Sequence, residues 1–296
     1  MNTQRSIRCA SCRNNLKPFL IKNGFTLAKC PSCSLIHTDI RQDYATFVNR
    51  FYERGYFTGD RSRMAYINYE DDKPFIWANM RKFLSYIRAY KPKGKLLDVG
   101  CALGFFTELA LKAGYDAYGI DPSDFAVAKA KKLVGSERIR KAKLSDIHDR
   151  TKSYDVVAMF DVFEHLADPE GDLEIVKKIL KDDGMIIIAT GDTDSFFARI
   201  LGRRWTFYNP PQHLYFFNHD NLTKLLEKKG FEPVSWMRIG KWLSLRYVLH
   251  LARTGGESVL AEFLYRLTDL LGLGKLPLYL PTYDNMVVIA KKKLGT

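Results

Sequence analysis

Four of the five cysteines fall in two pairs, Cys9 and Cys12 in "CASC" and Cys30 and Cys33 in "CPSC", with 17 residues between the pairs. Two residues between cysteines let a tight turn aim both sulfurs at one ion, and four thiolates complete a tetrahedral shell. The spacing predicts a zinc ribbon over residues 1–40, with zinc as a structural cofactor held by Cys9, Cys12, Cys30 and Cys33. A shell closed by four sulfurs leaves no position for a substrate. His37 is surplus to that shell and is expected as a surface histidine. The fifth cysteine, Cys101, stands apart in "LLDVGCALGFF", residues 96–106.

That second stretch has the form of a strand running into a glycine turn. A dinucleotide loop would read G-x-G-x-x-G, but the corresponding positions are Gly100, Ala102 and Phe105. What is present is Asp98-x-Gly100-x-x-x-Gly104, with "GID" closing the next apolar run at Asp121. S-adenosylmethionine (SAM) suits such a loop. It has no pyrophosphate to cradle, and its ammonium and sulfonium favour a nearby carboxylate such as Asp98. Gly100 and Gly104 let the backbone approach a ligand where a Cβ would collide. Asp121, 23 residues after Asp98, is placed to accept from both ribose hydroxyls.

Methyl transfer is mostly positioning, since the acceptor atom must approach the sulfonium in line. A hydroxyl or acidic C–H acceptor also gains from a base. The groups of the right type are Asp161, Glu164 and His165 in "FDVFEHL" and His213 in "PQHLYFF".

Elements must position these groups. Strands are expected at 95–99, 116–120, 138–142, 154–160 and 184–190, and helices at 104–113, 123–134 and 170–181. Short apolar strands alternating with helices imply an α/β fold, a largely parallel sheet covered on both faces. Ligands of such sheets bind beyond the carboxyl ends of the strands. Residues 41–92 read as a linker followed by a helix, with Pro74 at its start and Phe75, Ile76, Met80, Phe83, Leu84 and Ile87 on one face.

Together "LLDVGCALGFF", "YGIDPSDFAVAKA", "YDVVAMFDVFEHLADP", "LKDDGMIIIATGD" and "PQHLYFFNHDNLTKLLEKKGFEPV" resemble consecutive motifs of class I SAM-dependent methyltransferases. The branch most resembled is bacterial, carries an N-terminal zinc ribbon, and is linked to ubiquinone-type or cell-surface glycan methylation. The resemblance implies a Rossmann-like seven-stranded sheet over 93–296, its last strand, "NMVVIAKK", antiparallel. It implies Asp98, Gly100, Cys101 and Gly104 around the methionine part of SAM, with Asp121 and Pro122 at the ribose. Leu144 would meet adenine through its backbone, Phe160 and Asp161 would line the pocket, and His213 would lie in a loop over it. Two positions depart from the family pattern: Ala102 replaces a frequent glycine, and Lys143 stands where an acid is common. The expected acceptor is a sugar, nucleotide sugar, lipid-linked glycan or quinol.

Charge adds a second reading. The chain carries a formal +13, and residues 1–38 hold six Lys/Arg and no acid. This balance suits an acidic partner, so RNA methylation guided by a basic ribbon is the alternative function. Base-amine chemistry is disfavoured because "FDVF" stands where an [Asn/Asp]-Pro-Pro-aromatic motif would follow the fourth strand. Residues 241–283 read as a helical insertion with apolar and basic positions, a cap over the acceptor or a face for an anionic membrane. No run approaches the roughly 18 apolar residues of a membrane span, and "MNTQRSIRCASC" lacks a signal-peptide core. A cytoplasmic protein is expected, membrane-peripheral where 241–283 serves as a membrane face.

Overall fold

The computed structural model describes residues 8–40, 57–58, 69–147, 151–256 and 259–293. Most of the expected linker, and Arg5 of the basic ribbon, lie outside the described residues.

The alternation read from the sequence becomes a seven-stranded sheet. Its strands are β4 (Lys95–Val99), β5 (Asp116–Asp121), β6 (Ile139–Lys141), β7 (Tyr154–Phe160), β8 (Leu180–Gly191), β10 (Phe231–Ser244) and β11 (Pro277–Lys292). They are ordered β10-β11-β8-β7-β4-β5-β6. The five strands from β8 to β6 are parallel, and β11 runs antiparallel to both β8 and β10. Residues alternate between the two faces of the buried strands. Leu97, Val99, Val157, Met159, Ile186 and Ile188 enter one core. Leu96, Val156, Ala158, Met185, Ile187 and Ala189 enter the other.

Helices α1 (Lys73–Tyr90), α2 (Phe105–Lys112), α3 (Asp124–Val134), α4 (Pro169–Ile179), α5 (Phe196–Leu201) and α6 (His219–Lys228) cover the sheet and its connections. Pro74 begins α1 as expected, and Phe83, Leu84 and Ile87 are its buried stripe. Side-chain caps set the starts of α3 and α4: Ser123 Oγ accepts from Ala126 N, and Asp168 accepts from Gly171 N.

The ribbon is a hairpin, β1 (Lys17–Lys22) and β2 (Phe25–Lys29), with β3 (Ile36–Thr38) beside it. Its turn is Asn23-Gly24, both at positive φ (51° and 79°), the pair such a two-residue turn requires. A fourth strand, β9 (Tyr215–Phe216), comes from the other end of the chain and pairs with β3. Cys9, Cys30 and Leu35 belong to the same core as Leu97, Val157 and Phe217. The ribbon is thus built into the larger domain. His37 departs from expectation for this reason: it is only 6% exposed, lies within hydrogen-bonding distance of Ala10 N at 3.4 Å and stacks edge-on against Tyr215.

The insertion is narrower than 241–283. Lys241–Ser244 pair with Leu280–Pro277, so β10 and β11 run on as a two-stranded ribbon. Among the described residues, α7 (Leu245–Gly256), α8 (Val259–Leu270) and the turn at Leu273–Lys275 fill the gap between them.

Candidate active site

Beyond the carboxyl ends of the parallel strands lies a cavity of about 990 Å³. One part is lined by Gly100, Asp121, Pro122, Ala142, Lys143 and Leu144, another by Phe160, Asp161, Glu164, His165 and His213. Of the residues expected around SAM, Asp98, Cys101 and Gly104 are not among the lining side chains. They support the loop from beneath.

The glycine turn shows how. Gly100 sits at φ +68° and Gly104 at φ +81°, where a side chain is strained. A Cβ on Gly100 would meet Val162 at 2.5 Å, and one on Gly104 would meet Ala130 at 3.0 Å. The glycines are therefore required by backbone conformation and packing within the chain. Gly100 N and Cys101 N both donate to Ile120 O, at 2.8 and 3.0 Å, tying the turn to β5. The Cys101 thiol packs against Val127, Ala130 and Ile139. Asp98 is buried and accepts from Thr107 Oγ1 at 2.7 Å; burial raises its pKa to about 7.

Asp121 does face the cavity. Its Oδ2 accepts from Ala102 N at 3.0 Å and its Oδ1 from Ser123 N at 2.9 Å. These bonds fix the carboxylate and still leave lone pairs for two further donors. Burial raises its pKa to about 6.

The other part begins at the end of β7. Phe160 is fixed between Phe83, stacked at 4.3 Å, and Phe106, edge-on at 4.7 Å. Asp161 turns to φ +53° and accepts from Asn285 Nδ2 at 3.1 Å, with Lys241 Nζ at 3.8 Å. The short turn Phe163–His165 follows. Glu164 is fully buried; its Oε2 accepts from Thr190 Oγ1 at 2.8 Å, and its Oε1 has no hydrogen-bond partner among the described residues. Burial and the neighbouring Asp161 raise its pKa to about 8.

The two histidines come from distant segments and meet edge to face, their rings 4.7 Å apart. His165 Nδ1 lies 2.7 Å from Gln212 O, and His213 Nδ1 lies 2.7 Å from Phe207 O. A carbonyl accepts only, so each Nδ1 carries the proton and each Nε2 keeps its lone pair. Burial and the neighbouring His165 hold His213 well below the usual histidine range. One ligand atom from each of Glu164, His165 and His213 lies within 4.8 Å of the others, a spacing that also fits one small cation.

His213 is held by contacts from both sides. Its N donates to Asn209 O at 3.0 Å, and Leu214 N donates to Glu164 O at 2.9 Å. From the ribbon, Thr38 Oγ1 donates to His213 O at 2.6 Å, and Thr38 N donates to Leu214 O at 2.8 Å. The pocket also takes in Lys22, Asn23, Asn79, Arg204, Trp242 and Tyr247. Nothing in their spacing announces this, because four separate segments converge only in the fold.

The four ribbon thiols form one cluster. Cys9 and Cys33 sulfurs are 3.5 Å apart, Cys12 and Cys30 3.3 Å, and Cys12 and Cys33 3.7 Å. Sulfurs around one zinc at ~2.3 Å would be about 3.75 Å apart, so the donor set fits the metal with small adjustment. The Cys33 thiol, and next His37, draw the Cys9 pKa down toward about 3 against the effect of burial. The cluster already favours a thiolate.

A family model described as a methyltransferase domain matches residues 74–235, more than half of the 296 residues. The ubiquinone biosynthesis O-methyltransferase of Cereibacter sphaeroides is 29% identical over 176 residues, 52% of this chain and 71% of that protein. The mitochondrial protein of that name from Bos taurus is 33% identical over 127 residues, 40% of this chain and 34% of its own. Among solved structures, magnesium protoporphyrin IX methyltransferase from Synechocystis, with bound SAH, superposes with a TM-score of 0.53 at 15% identity, covering 84% of this chain and all of that one. Burkholderia thailandensis 1,6-didemethyltoxoflavin-N1-methyltransferase, bound to its substrate and S-adenosylhomocysteine, gives 0.52 at 16% identity, covering 94% and 99%. At these identities the structures show a shared fold.

Proposed function

The chain belongs to the class I SAM-dependent methyltransferases, and from that premise we propose that it methylates a hydroxyl of a small acceptor, a quinol, sugar or other glycan unit. The observation that carries this reading is one continuous cavity joining Gly100 and Asp121 to the Glu164–His165–His213 cluster. Bound there, SAM supplies a methyl carbon on a positively charged sulfur. Asp121 holds the ribose, Leu144 borders the adenine, and Phe160 with Val162 walls the reacting space. Glu164 is the base: its Oε1 takes the hydroxyl proton as the new carbon–oxygen bond forms and the carbon–sulfur bond breaks. His213, which the sequence marks as a base, is poorly suited to keep a proton in this burial. Together with His165 it orients the acceptor through Nε2, while Asp161 and Lys241 border the same space.

A second reading rests on the two imidazoles that give Nδ1–H to carbonyls, the arrangement that readies Nε2 for a metal. A divalent cation held by Glu164, His165 and His213 would lower the acceptor hydroxyl's pKa in place of a base. Turnover that survives exhaustive chelation supports the base; turnover lost and restored by one divalent metal supports the cation.

Zinc in the Cys9, Cys12, Cys30 and Cys33 cluster is structural in this reading. The ribbon tip and the 241–251 segment wall the cavity, which favours a small acceptor over a polynucleotide. Helix α8 presents an outward apolar face, with Val259 85% and Leu270 84% exposed. With the positive net charge this supports peripheral contact with an anionic bilayer, tested by sedimentation with anionic liposomes. No helix among the described residues is long and apolar enough to cross a membrane. The deciding experiment is mass-spectrometric detection of methylated product after incubating the chain with SAM and separate pools of quinols, nucleotide sugars and RNA. Product from the RNA pool alone would overturn the small-acceptor reading.

A further inference from the structure

Many lysines and arginines around the sheet have a carboxylate beside them, among them Lys73 with Glu108, Lys181 with Asp155, Arg238 with Asp192 and Lys229 with Glu174. Two cations of the cavity wall, Lys22 and Arg204, and their neighbour Arg203 differ. Lys22, Arg203 and Arg204 have no carboxylate within ion-pair distance among the described residues, and Lys22 reaches the backbone of the segment that carries both arginines. Lys22 Nζ donates to the Arg203 carbonyl oxygen at 2.8 Å, and Lys22 and Arg204 both line the cavity.

The arrangement is held by the backbone. Lys22 ends β1 at the Asn23-Gly24 turn, and Asn23 Nδ2 donates to Pro210 O at 3.1 Å. The ribbon tip is thereby fastened across the 203–210 segment. Burial, and next the Arg203 charge, push the Lys22 pKa down, so the ammonium sits partly desolvated near a second positive charge. Like charges fixed together without a counter-charge are relieved by an anion. An ammonium with guanidinium groups from one short segment suits the several oxygens of a phosphoryl group better than a single carboxylate.

We propose that Lys22, Arg203 and Arg204 form an anion subsite of the acceptor cavity that receives a phosphoryl or diphosphoryl group carried by the acceptor. The inference rests on the reading of this cavity as the acceptor pocket, and it narrows the acceptor to phosphorylated molecules. Two sources share that chemistry: a nucleoside diphosphate sugar and a lipid diphosphate.

The test is calorimetric titration of the full chain with inorganic pyrophosphate, uridine diphosphate and farnesyl diphosphate, with S-adenosylhomocysteine titrated in parallel. Pyrophosphate is expected to bind at one site per chain. Lys22→Gln, and separately the pair Arg203→Gln with Arg204→Gln, should each weaken it by about tenfold to a hundredfold and leave S-adenosylhomocysteine affinity unchanged. Arg203 and Arg204 are exposed, so the paired variant keeps the test valid if Lys22→Gln disturbs the hairpin. Tighter binding of uridine diphosphate than pyrophosphate supports the subsite with a nucleotide source; tighter binding of farnesyl diphosphate supports it with a lipid source. Absence of pyrophosphate binding in a chain that binds S-adenosylhomocysteine overturns the subsite alone, as does equal affinity in the variants. A chain that binds pyrophosphate through these residues but not S-adenosylhomocysteine keeps the subsite and overturns the methyltransferase reading of the cavity.

Discussion

The two halves of the cavity are built differently. The cofactor half comes from successive strand-to-helix connections: Gly100 after β4, Asp121 and Pro122 at the end of β5, Lys143 and Leu144 after β6. Each connection is local, so its glycines and carboxylate are readable as spacing. The acceptor half is gathered from the ribbon tip, α1, the 204–213 segment and the start of the insertion. It is positioned by long-range bonds such as Asn79 Nδ2 to Trp242 O at 2.9 Å and Thr38 Oγ1 to His213 O at 2.6 Å. If local elements hold the cofactor and distant ones the acceptor, as proposed, damage to one half should leave the other working.

The sharpest separation is expected from Glu164→Gln. The amide keeps the shape and can still bond Thr190, but it cannot take a proton. Turnover should fall by a factor on the order of 10²–10⁴, with SAM affinity unchanged by calorimetry. Unchanged turnover would remove Glu164 as base and return the role to His213.

Next in size is the ribbon. Cys30→Ser should release zinc, measured by elemental analysis. Because Cys9, Cys30 and Leu35 share a core with β4, β7 and α6, the loss should reach the whole molecule. A cost on the order of 3 kcal/mol would lower Tm by roughly 6–12 °C for a chain of this size. It should also slow turnover, because Thr38 no longer holds the His213 segment. Two resolved melting transitions, the larger one unmoved, would falsify this coupling and make the ribbon an independent unit.

The same contrast explains what the sequence could reveal. Five parallel strands were legible because apolar runs alternate with helices and each sits beside its own turn residues, whereas the antiparallel last strand came from the family resemblance. The cysteine pairs were legible because metal geometry imposes a short spacing. The pairing of β9 with β3 was not, since Tyr215 and Phe216 meet Ile36 and His37 across nearly 180 residues and two residues carry no strand pattern. His37 looked like a surface residue for that reason: the strand that buries it is remote. The roles of Gly100 and Gly104 were half legible. Positive φ was foreseeable, but the neighbours that exclude a Cβ, Val162 and Ala130, belong to other elements. Lys241–Ser244 and their partners had strand register hidden inside a helical-looking segment, because one face of α7 continues the apolar pattern.

On the cofactor side, Asp121→Ala should weaken SAM binding by roughly 1.5–3 kcal/mol, about 10- to 150-fold, for the loss of charge-assisted bonds to the ribose. Affinity for a free acceptor, measured without SAM, should stay within error. Equal SAM affinity in the variant would take the ribose away from Asp121. A parallel loss of acceptor affinity would show that the two halves are coupled.

The smallest expected effect is the pH dependence of that same binding. The Asp121 pKa is raised by burial to about 6 in the free protein, against an ordinary aspartate value of about 3.9. Its charge therefore opposes folding: the stabilisation from holding it neutral is complete below about pH 4 and is lost as pH rises through about 6. Binding works in the opposite direction. A carboxylate that accepts from two hydroxyls beside a cationic ligand must be ionised, so below pH 6 the ligand has to displace a proton. SAM affinity should rise by up to about tenfold per pH unit approaching 6 from below, and level off above 7. The SAM-induced increase in Tm should widen over the same interval as the unliganded chain loses stability. In Asp121→Asn this pH dependence should flatten. A slope that persists in the variant would assign the proton to Asp98, whose burial raises its pKa to about 7, and would place the cofactor's charge nearer to β4 than to β5.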